Sequence, residues 1–287
     1  MGEKPNIEVK KVDNATPRVM FDTNTYRFII DGVADNHGNA AETYQQIRQM
    51  IIEGKIEAFL SETLFTIEAL RKNDRLSFMA MYKPKTSVIE KGSGSNFTID
   101  LTIGPSENQM ADFKDTEYLG DYYRKAVALG FKIIRMPRTA GITNADIPFE
   151  SLYVVEDFDS YYSLACEVGD KIEANGGGMA FVDEMLHPYK NRKNPMKALF
   201  DDVNRLSLNE KKRKIKEVAK AFAEMSDGDS VASSIGLGCY AFCSNDKAKD
   251  AGASSVMSEN NVEWLKDEYG FNKVTPTELL ELLDDNE

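Results

Sequence analysis

The sequence predicts an α/β protein built on a central parallel sheet with helices on both faces. Three observations carry this reading. Short apolar runs with the length of buried strands lie near both ends, Val19-Met20-Phe21 and Ala58-Phe59-Leu60 early, Cys239-Tyr240-Ala241-Phe242-Cys243 late. Segments with helical spacing separate them, and strand–helix–strand–helix is the grammar of a parallel sheet. Two of the runs end in polar clusters carrying an aspartate, Asp22-Thr23-Asn24-Thr25 and Ser244-Asn245-Asp246.

Taken in order, the first strand covers 19–22. Ala40, Ala41, Tyr44, Ile47 and Ile51 recur at helical spacing until Gly54. After the second strand, Ser61 can cap a helix running to about Arg71. Thr86–Glu90 and Asn96–Thr102 alternate about Gly92-Ser93-Gly94-Ser95, which predicts a hairpin. A helix follows over Thr116–Leu129, then a strand over Phe131–Met136 that stops at Pro137, and a short strand within Ser151–Val155. Tyr161–Ala174 reads as a helix ended by Gly176-Gly177-Gly178. These glycines form a helix stop and not a phosphate cradle, since no Gly-Lys-Ser/Thr follows. Leu208–Met225 reads as a long charged helix and Ser230–Leu237 as a separate small-residue helix. Asn261–Tyr269 is helical, Lys273-Val274 adds a strand, and Thr275-Pro276-Thr277-Glu278 is a capping box opening the last helix.

With 287 residues, 42% of them hydrophobic, the chain can bury a core in one large or two modest domains. No run approaches the roughly 20 apolar residues of a membrane helix. The polar segment Met1–Asn14 lacks the apolar stretch of a secretory signal, so a soluble, cytoplasmic protein with no membrane partner is expected. Three cysteines, Cys166, Cys239 and Cys243, argue against a disulfide framework. Cys239 and Cys243 read as buried filler. The two histidines, His37 and His187, have no supporting motif for a zinc site or a triad. A net charge of −12 disfavours strong non-specific nucleic-acid binding, but suits a site that gathers carboxylates around a cation.

In parallel sheets, ligands bind beyond the carboxyl ends of the strands, which puts Asp22 and Asp246 on one rim. Glu68 follows Leu64 and Phe65 at helical spacing, so it shares a face with core residues, and a buried carboxylate needs a cation, a metal or a proton. Asp229 stands before the small-residue helix, with Asp227 two residues earlier.

These segments resemble the PIN-domain nucleases, the family that includes toxin ribonucleases of bacterial toxin–antitoxin pairs. Val19-Met20-Phe21-Asp22-Thr23-Asn24 resembles its first motif, Ser61 through Ile67-Glu68-Ala69-Leu70 its second, and Gly228-Asp229-Ser230-Val231-Ala232 its third. Cys243-Ser244-Asn245-Asp246 resembles the fourth, and Val274 through Leu280 the closing strand and helix. The resemblance implies a three-layer α/β/α PIN-like domain, discontinuous over 15–75 and 222–287. Residues 76–221 then form an inserted or elaborated α+β region, far longer than the connection in small family members. It also implies a metal-dependent endoribonuclease. Asp22, Glu68, Asp229 and Asp246 would hold Mg²⁺ or Mn²⁺, for which oxygen ligands are suited, with Asn24, Ser244 and Asp227 supporting them. RNA is the implied substrate, and an inhibitor protein or a second copy of the chain an implied partner.

Simpler readings exist for each part. Asp229 and Asp246 can be plain helix caps, Asp22-Thr23-Asn24 a turn, and Glu68 a solvated residue. Of the basic clusters, Arg71 and Lys72 (with Arg75) have the best claim to substrate phosphates. Lys190, Arg192, Lys193 and Lys197 form a second cluster, and 211–216 reads as a solvated charged helix face. Two rival functions use the same residues. One is a haloacid dehalogenase-like phosphatase with Asp22 as nucleophile, although its second Asp would fall on Asn24. The other is a non-catalytic module binding RNA or protein.

Overall fold

The computed structural model describes residues 16–65, 67–68, 70–82, 84–93, 96–105, 116–136, 152–246 and 252–284, with backbone alone for 84–93, 96–105 and 116–120. The N-terminal segment 1–14, the hairpin loop 94–95 and the strand stop at Pro137 lie outside the described residues.

Six short strands form one sheet: β1 (Arg18–Phe21), β2 (Glu57–Ser61), β5 (Lys132–Ile134), β6 (Leu152–Tyr153), β7 (Ala241–Cys243) and β8 (Lys273–Val274). Their order is β6-β5-β2-β1-β7-β8 and every pairing is parallel. The predicted hairpin, β3 (Pro84–Ser93) with β4 (Asn96–Pro105), forms a separate antiparallel sheet. The 76–221 segment thus contributes this hairpin and also β5 and β6 of the central sheet.

The central strands are apolar on both faces because both are covered. Val19 and Phe21, Ala58 and Leu60, Ile133, and Ala241 and Cys243 face one side. They meet the helices Thr23–Asp31, Ala41–Ile52, Thr116–Leu129 and Pro276–Asp284 through residues such as Tyr26, Ile47, Ala126 and Leu279. Met20, Phe59, Ile134 and Phe242 face the other side. There they pack on the helices Phe158–Ala174 and Glu259–Tyr269 and on the C-terminal part of the helix Leu208–Gly236. The architecture is three-layer α/β/α. Among the described residues no helix is long and apolar enough to cross a membrane.

A third apolar cluster lies outside these layers. Ile67, Leu76, Val182, Leu199, Val203, Val218 and Phe222 join the helices Arg75–Met81, Ala180–Leu186 and Pro195–Val203 to the N-terminal half of the long helix. The long helix thus belongs to both, its C-terminal part to the layer on the sheet and its N-terminal half to this helical lobe.

Two expectations from the sequence are corrected. No α-helix runs from Ser61 to Arg71. Ser61 ends β2, a 3-10 turn covers Glu62–Phe65, and Glu68 lies in a turn. The Arg75 guanidinium donates to the carbonyls of Glu68 (3.2 Å) and Leu70 (3.3 Å), which a continuing helix would have used itself. Second, the two helices read at 208–225 and 230–237 are one helix of 29 residues. Asp227-Gly228-Asp229 does not break it, and its N-terminus is closed by a capping box of Ser207 and Glu210. The glycine is there for packing: a Cβ at 228 would lie 2.8 Å from Gly178 Cα. The Thr275–Glu278 capping box forms as the sequence predicts, with Thr275 N donating to Glu278 Oε2 at 2.7 Å.

Candidate functional site

The strand order reverses between β1 and β7. Successive strands add outward through β2, β5 and β6 on one side and through β8 on the other. Such a switch point leaves a crevice at the carboxyl ends of the two strands. Phe21 and Cys243 are in register there, so the residues that follow them face each other across the crevice.

Asp22 caps the Thr23–Asp31 helix, its Oδ1 accepting from Thr23 N at 2.6 Å. Its Oδ2 accepts from the Ser244 hydroxyl (2.6 Å) and the Asn24 amide (2.8 Å). Asn24 Oδ1 accepts from Asn245 N at 2.9 Å, and Ser244 Oγ accepts from Asp246 N at 3.0 Å. Asn24 and Ser244 therefore bolt the two strand ends together and fix the Asp22 carboxylate between them. One layer further out, the Asn245 amide donates to Asp35 Oδ2 (2.8 Å) and Tyr44 Oη (3.1 Å). Burial works against ionised Asp35, but hydrogen bonds from Tyr44, Asn39 and His37 outweigh it and lower its pKa to about 2.

Glu68 reaches the crevice from its turn and accepts a short hydrogen bond from the Thr23 hydroxyl. Burial, then the Asp22 charge, raises its pKa to about 7, against the Thr23 hydrogen bond and the charges of Arg75 and Arg27. Asp22 is itself raised, first by burial and further by Asp246, with the Ser244 bond opposing. The third acid is Asp227 of the long helix. It is raised well above the usual carboxylate range by burial and then by Asp22, Glu68, Glu224 and Asp246.

Asp227, named above only in a supporting role, is thus the helix acid whose field joins the other three. Asp229 points from a different side of that helix. Two residues along a helix are about 200° apart, and the buried Asp229 acts on Tyr161, whose hydroxyl donates to Arg135 O at 3.0 Å and lies 3.2 Å from Ser233 Oγ.

Arg71 and Lys72 are exposed. The cation that enters the site is Arg75, 5% exposed, which also donates to Ala219 O at 3.1 Å and feels the charges of Glu68 and Asp227. Lys273, half-buried, is a second cation at the site. Its ammonium donates to Asp246 O and Met257 O, and the carboxylates of Asp246, Asp22 and Asp227 oppose the effect of burial on it. The sequence reading also passed over Glu224, which is buried, with Oε2 accepting no hydrogen bond among the described residues. Its one sequence signal is an acid interrupting the apolar face of Phe222 and Met225. Beside Asp246 a cleft of about 450 Å³ opens, lined by Ser244, Lys273 and Thr275 with Met257 and Val262 as its apolar wall.

The chain matches no family model, no curated protein and no solved structure. What the site can do rests on its own chemistry. Among the described residues no three Asp, Glu, His or Cys side chains already converge as a coordinating set. The donors nevertheless fit a hard divalent cation: all are carboxylates, and three of them are held above their ordinary pKa by burial and by one another's charge. A cation relieves that tension, while the hydrogen bonds of Asp22 and Glu68 hold the acids in place.

Proposed function

We propose that the crevice binds Mg²⁺ or Mn²⁺ and hydrolyses phosphodiester bonds, with RNA as substrate. The observation that carries this is the mutual electrostatic effect of Asp22, Glu68, Asp227 and Asp246 around the carboxyl ends of β1 and β7, where the strand order reverses. Asp22, Glu68 and Asp227, drawn from three separate segments, are held above their ordinary pKa by burial and by charges that include one another's and that of Asp246. Such a cluster lowers stability, and residues kept at that cost mark functional sites.

Asp22, Glu68, Asp227 and Asp246 would hold the ion. When bound, it supplies charge neutralisation at the phosphate and an activated water. The chain's own residues do the positioning. Ser244 and Asn24 orient Asp22, Arg75 pins the backbone of the turn that carries Glu68, and Lys273 ties down the backbone of Asp246. The preference for RNA rests on the resemblance of these segments to PIN-domain nucleases. The phosphatase reading has less support: its general acid would stand at position 24, and the Asn24 amide is instead a donor to Asp22.

The test compares wild type with Asp22→Asn, Asp227→Asn and Asp229→Asn on a pool of single-stranded and structured RNA, with Mn²⁺, Mg²⁺ or EDTA, alongside calorimetric Mn²⁺ titration. Wild type and Asp229→Asn should cleave in a metal-dependent way, and the other two should lose both cleavage and Mn²⁺ affinity. Asp227→Asn should also melt above wild type, since it removes a disfavoured charge. Full activity in Asp227→Asn would remove Asp227 from the site. Absence of both cleavage and Mn²⁺ binding in wild type would leave a non-catalytic module.

A further inference from the structure

Charge is distributed unevenly. Residues 187–220 carry eleven Lys and Arg against four Asp and Glu, a balance of +7 in a chain of −12, leaving −19 on the remainder. The structure puts this basic segment into the helical lobe, whose core includes Ile67, next to Glu68.

The long helix carries the charge in a definite direction. At about 100° per residue, Lys220, Lys216 and Arg213 fall within roughly 40° of Asp227 around the helix, about 10, 16 and 21 Å along it. All three are exposed, as is Lys212. Among the described residues Lys212 and Lys216 have no acid partner. The pair Arg213–Glu217, at 3.7 Å and well exposed, is weak in water and readily exchanged. Glu217 lies beside the stripe and is also held by Lys214, at 3.0 Å, and the buried Glu224, one turn beyond Lys220, feels the Lys220 charge. Lys190, Arg192 and Lys193 are exposed on the same lobe. A body at −19 repels a polyanion, so one basic lobe joined to the acidic crevice both attracts the strand and sets its direction of approach.

We infer that the stripe Arg213–Lys216–Lys220 is a track for the phosphate backbone of single-stranded RNA, leading the strand along the lobe to the Asp227 side of the crevice. This rests on the phosphodiesterase reading and names where its substrate binds.

The experiment measures binding of a labelled single-stranded RNA oligonucleotide by fluorescence anisotropy across a salt series, in EDTA so that nothing is cleaved. Wild type is compared with Arg213→Glu/Lys216→Glu/Lys220→Glu and with a control on a distant helix, Arg124→Glu/Lys125→Glu. Circular dichroism checks folding, and Lys216→Gln/Lys220→Gln replaces the triple variant if that fails to fold. The triple variant should bind at least about tenfold more weakly at low salt and lose roughly 2 from the slope of log Kd against log salt, at about 0.7 per single-strand phosphate contact. The control should match wild type. Unchanged affinity and slope in the triple variant, an equal loss in the control, or lobe-dependent binding of phosphatidylserine vesicles in place of RNA would overturn the track. Lobe-dependent RNA binding without cleavage in any metal would uphold the track and overturn the nuclease. Cleavage with unaltered affinity in the triple variant would do the reverse.

Discussion

Gly228→Ala sets two opposed effects against each other inside the long helix. Helix propensity alone favours alanine over glycine by about 1 kcal/mol. Packing opposes it: the new Cβ would stand 2.8 Å from Gly178 Cα, with Gly178 N at 3.6 Å and Ile172 Cγ2 at 3.7 Å. The nearest atom is backbone, and no side-chain rotation removes the clash. Gly178 holds φ +55 and has little room, since its own Cβ position is 3.2 Å from Ile172 Cγ2. Overpacking of this kind costs about 1–3 kcal/mol and lies toward the upper end where backbone must move. The packing cost wins, for a net loss of about 1–2 kcal/mol. At roughly 2–4 °C per kcal/mol for a protein of this size class, the melting temperature should fall by about 2–8 °C in a calorimetric scan. Since Asp227 is the adjacent residue, the same displacement should weaken Mn²⁺ binding in a titration. A Gly228→Ala protein that melts at or above wild type would refute the reasoning, because propensity would then have prevailed over the Gly178 contact.

Arg75→Met should destabilise by about 3–5 kcal/mol, since it strips the carbonyls of Glu68, Leu70 and Ala219 of a buried charged donor. A loss under about 1 kcal/mol in urea unfolding would refute that role. Glu62 is buried, and desolvation raises its pKa to about 7 despite the Arg135 charge and the Met136 N–H. The folded state therefore binds the proton more tightly than the unfolded chain, and this group's contribution to stability falls as pH rises from about 4.5 to 7. Glu62→Gln should gain stability relative to wild type across that window, by about 3 kcal/mol at most; parallel pH profiles of unfolding free energy for the two proteins would contradict it.

Much of this architecture is written locally. Buried strands announce themselves by apolar runs at 19–21, 58–60 and 241–243, and their ends by the polar residues that must follow. The Thr275–Glu278 box, the hairpin and the Thr116–Leu129 helix depend on near neighbours alone, and the sequence places them correctly. Asp22, Glu68 and Asp246 are legible because each is an acid beside core residues. The helices Ala180–Leu186 and Pro195–Val203 are not: each spans only about two turns, too short to show a helical period, and their apolar residues gain meaning from the long helix they pack on.

Tertiary structure alone decided the rest. Strand order, and with it the crevice between β1 and β7, depends on which strands pair, which no single segment encodes. The turn at Glu68 replaces a helix because Arg75 captures its carbonyls. The choice between Asp227 and Asp229 turns on which side of one helix faces the crevice, a rotation of about 200° between them. Their spacing in sequence is the same whichever way the helix is turned. Its orientation comes from packing at particular points, such as the backbone contact of Gly228 with Gly178, between residues fifty positions apart in the chain.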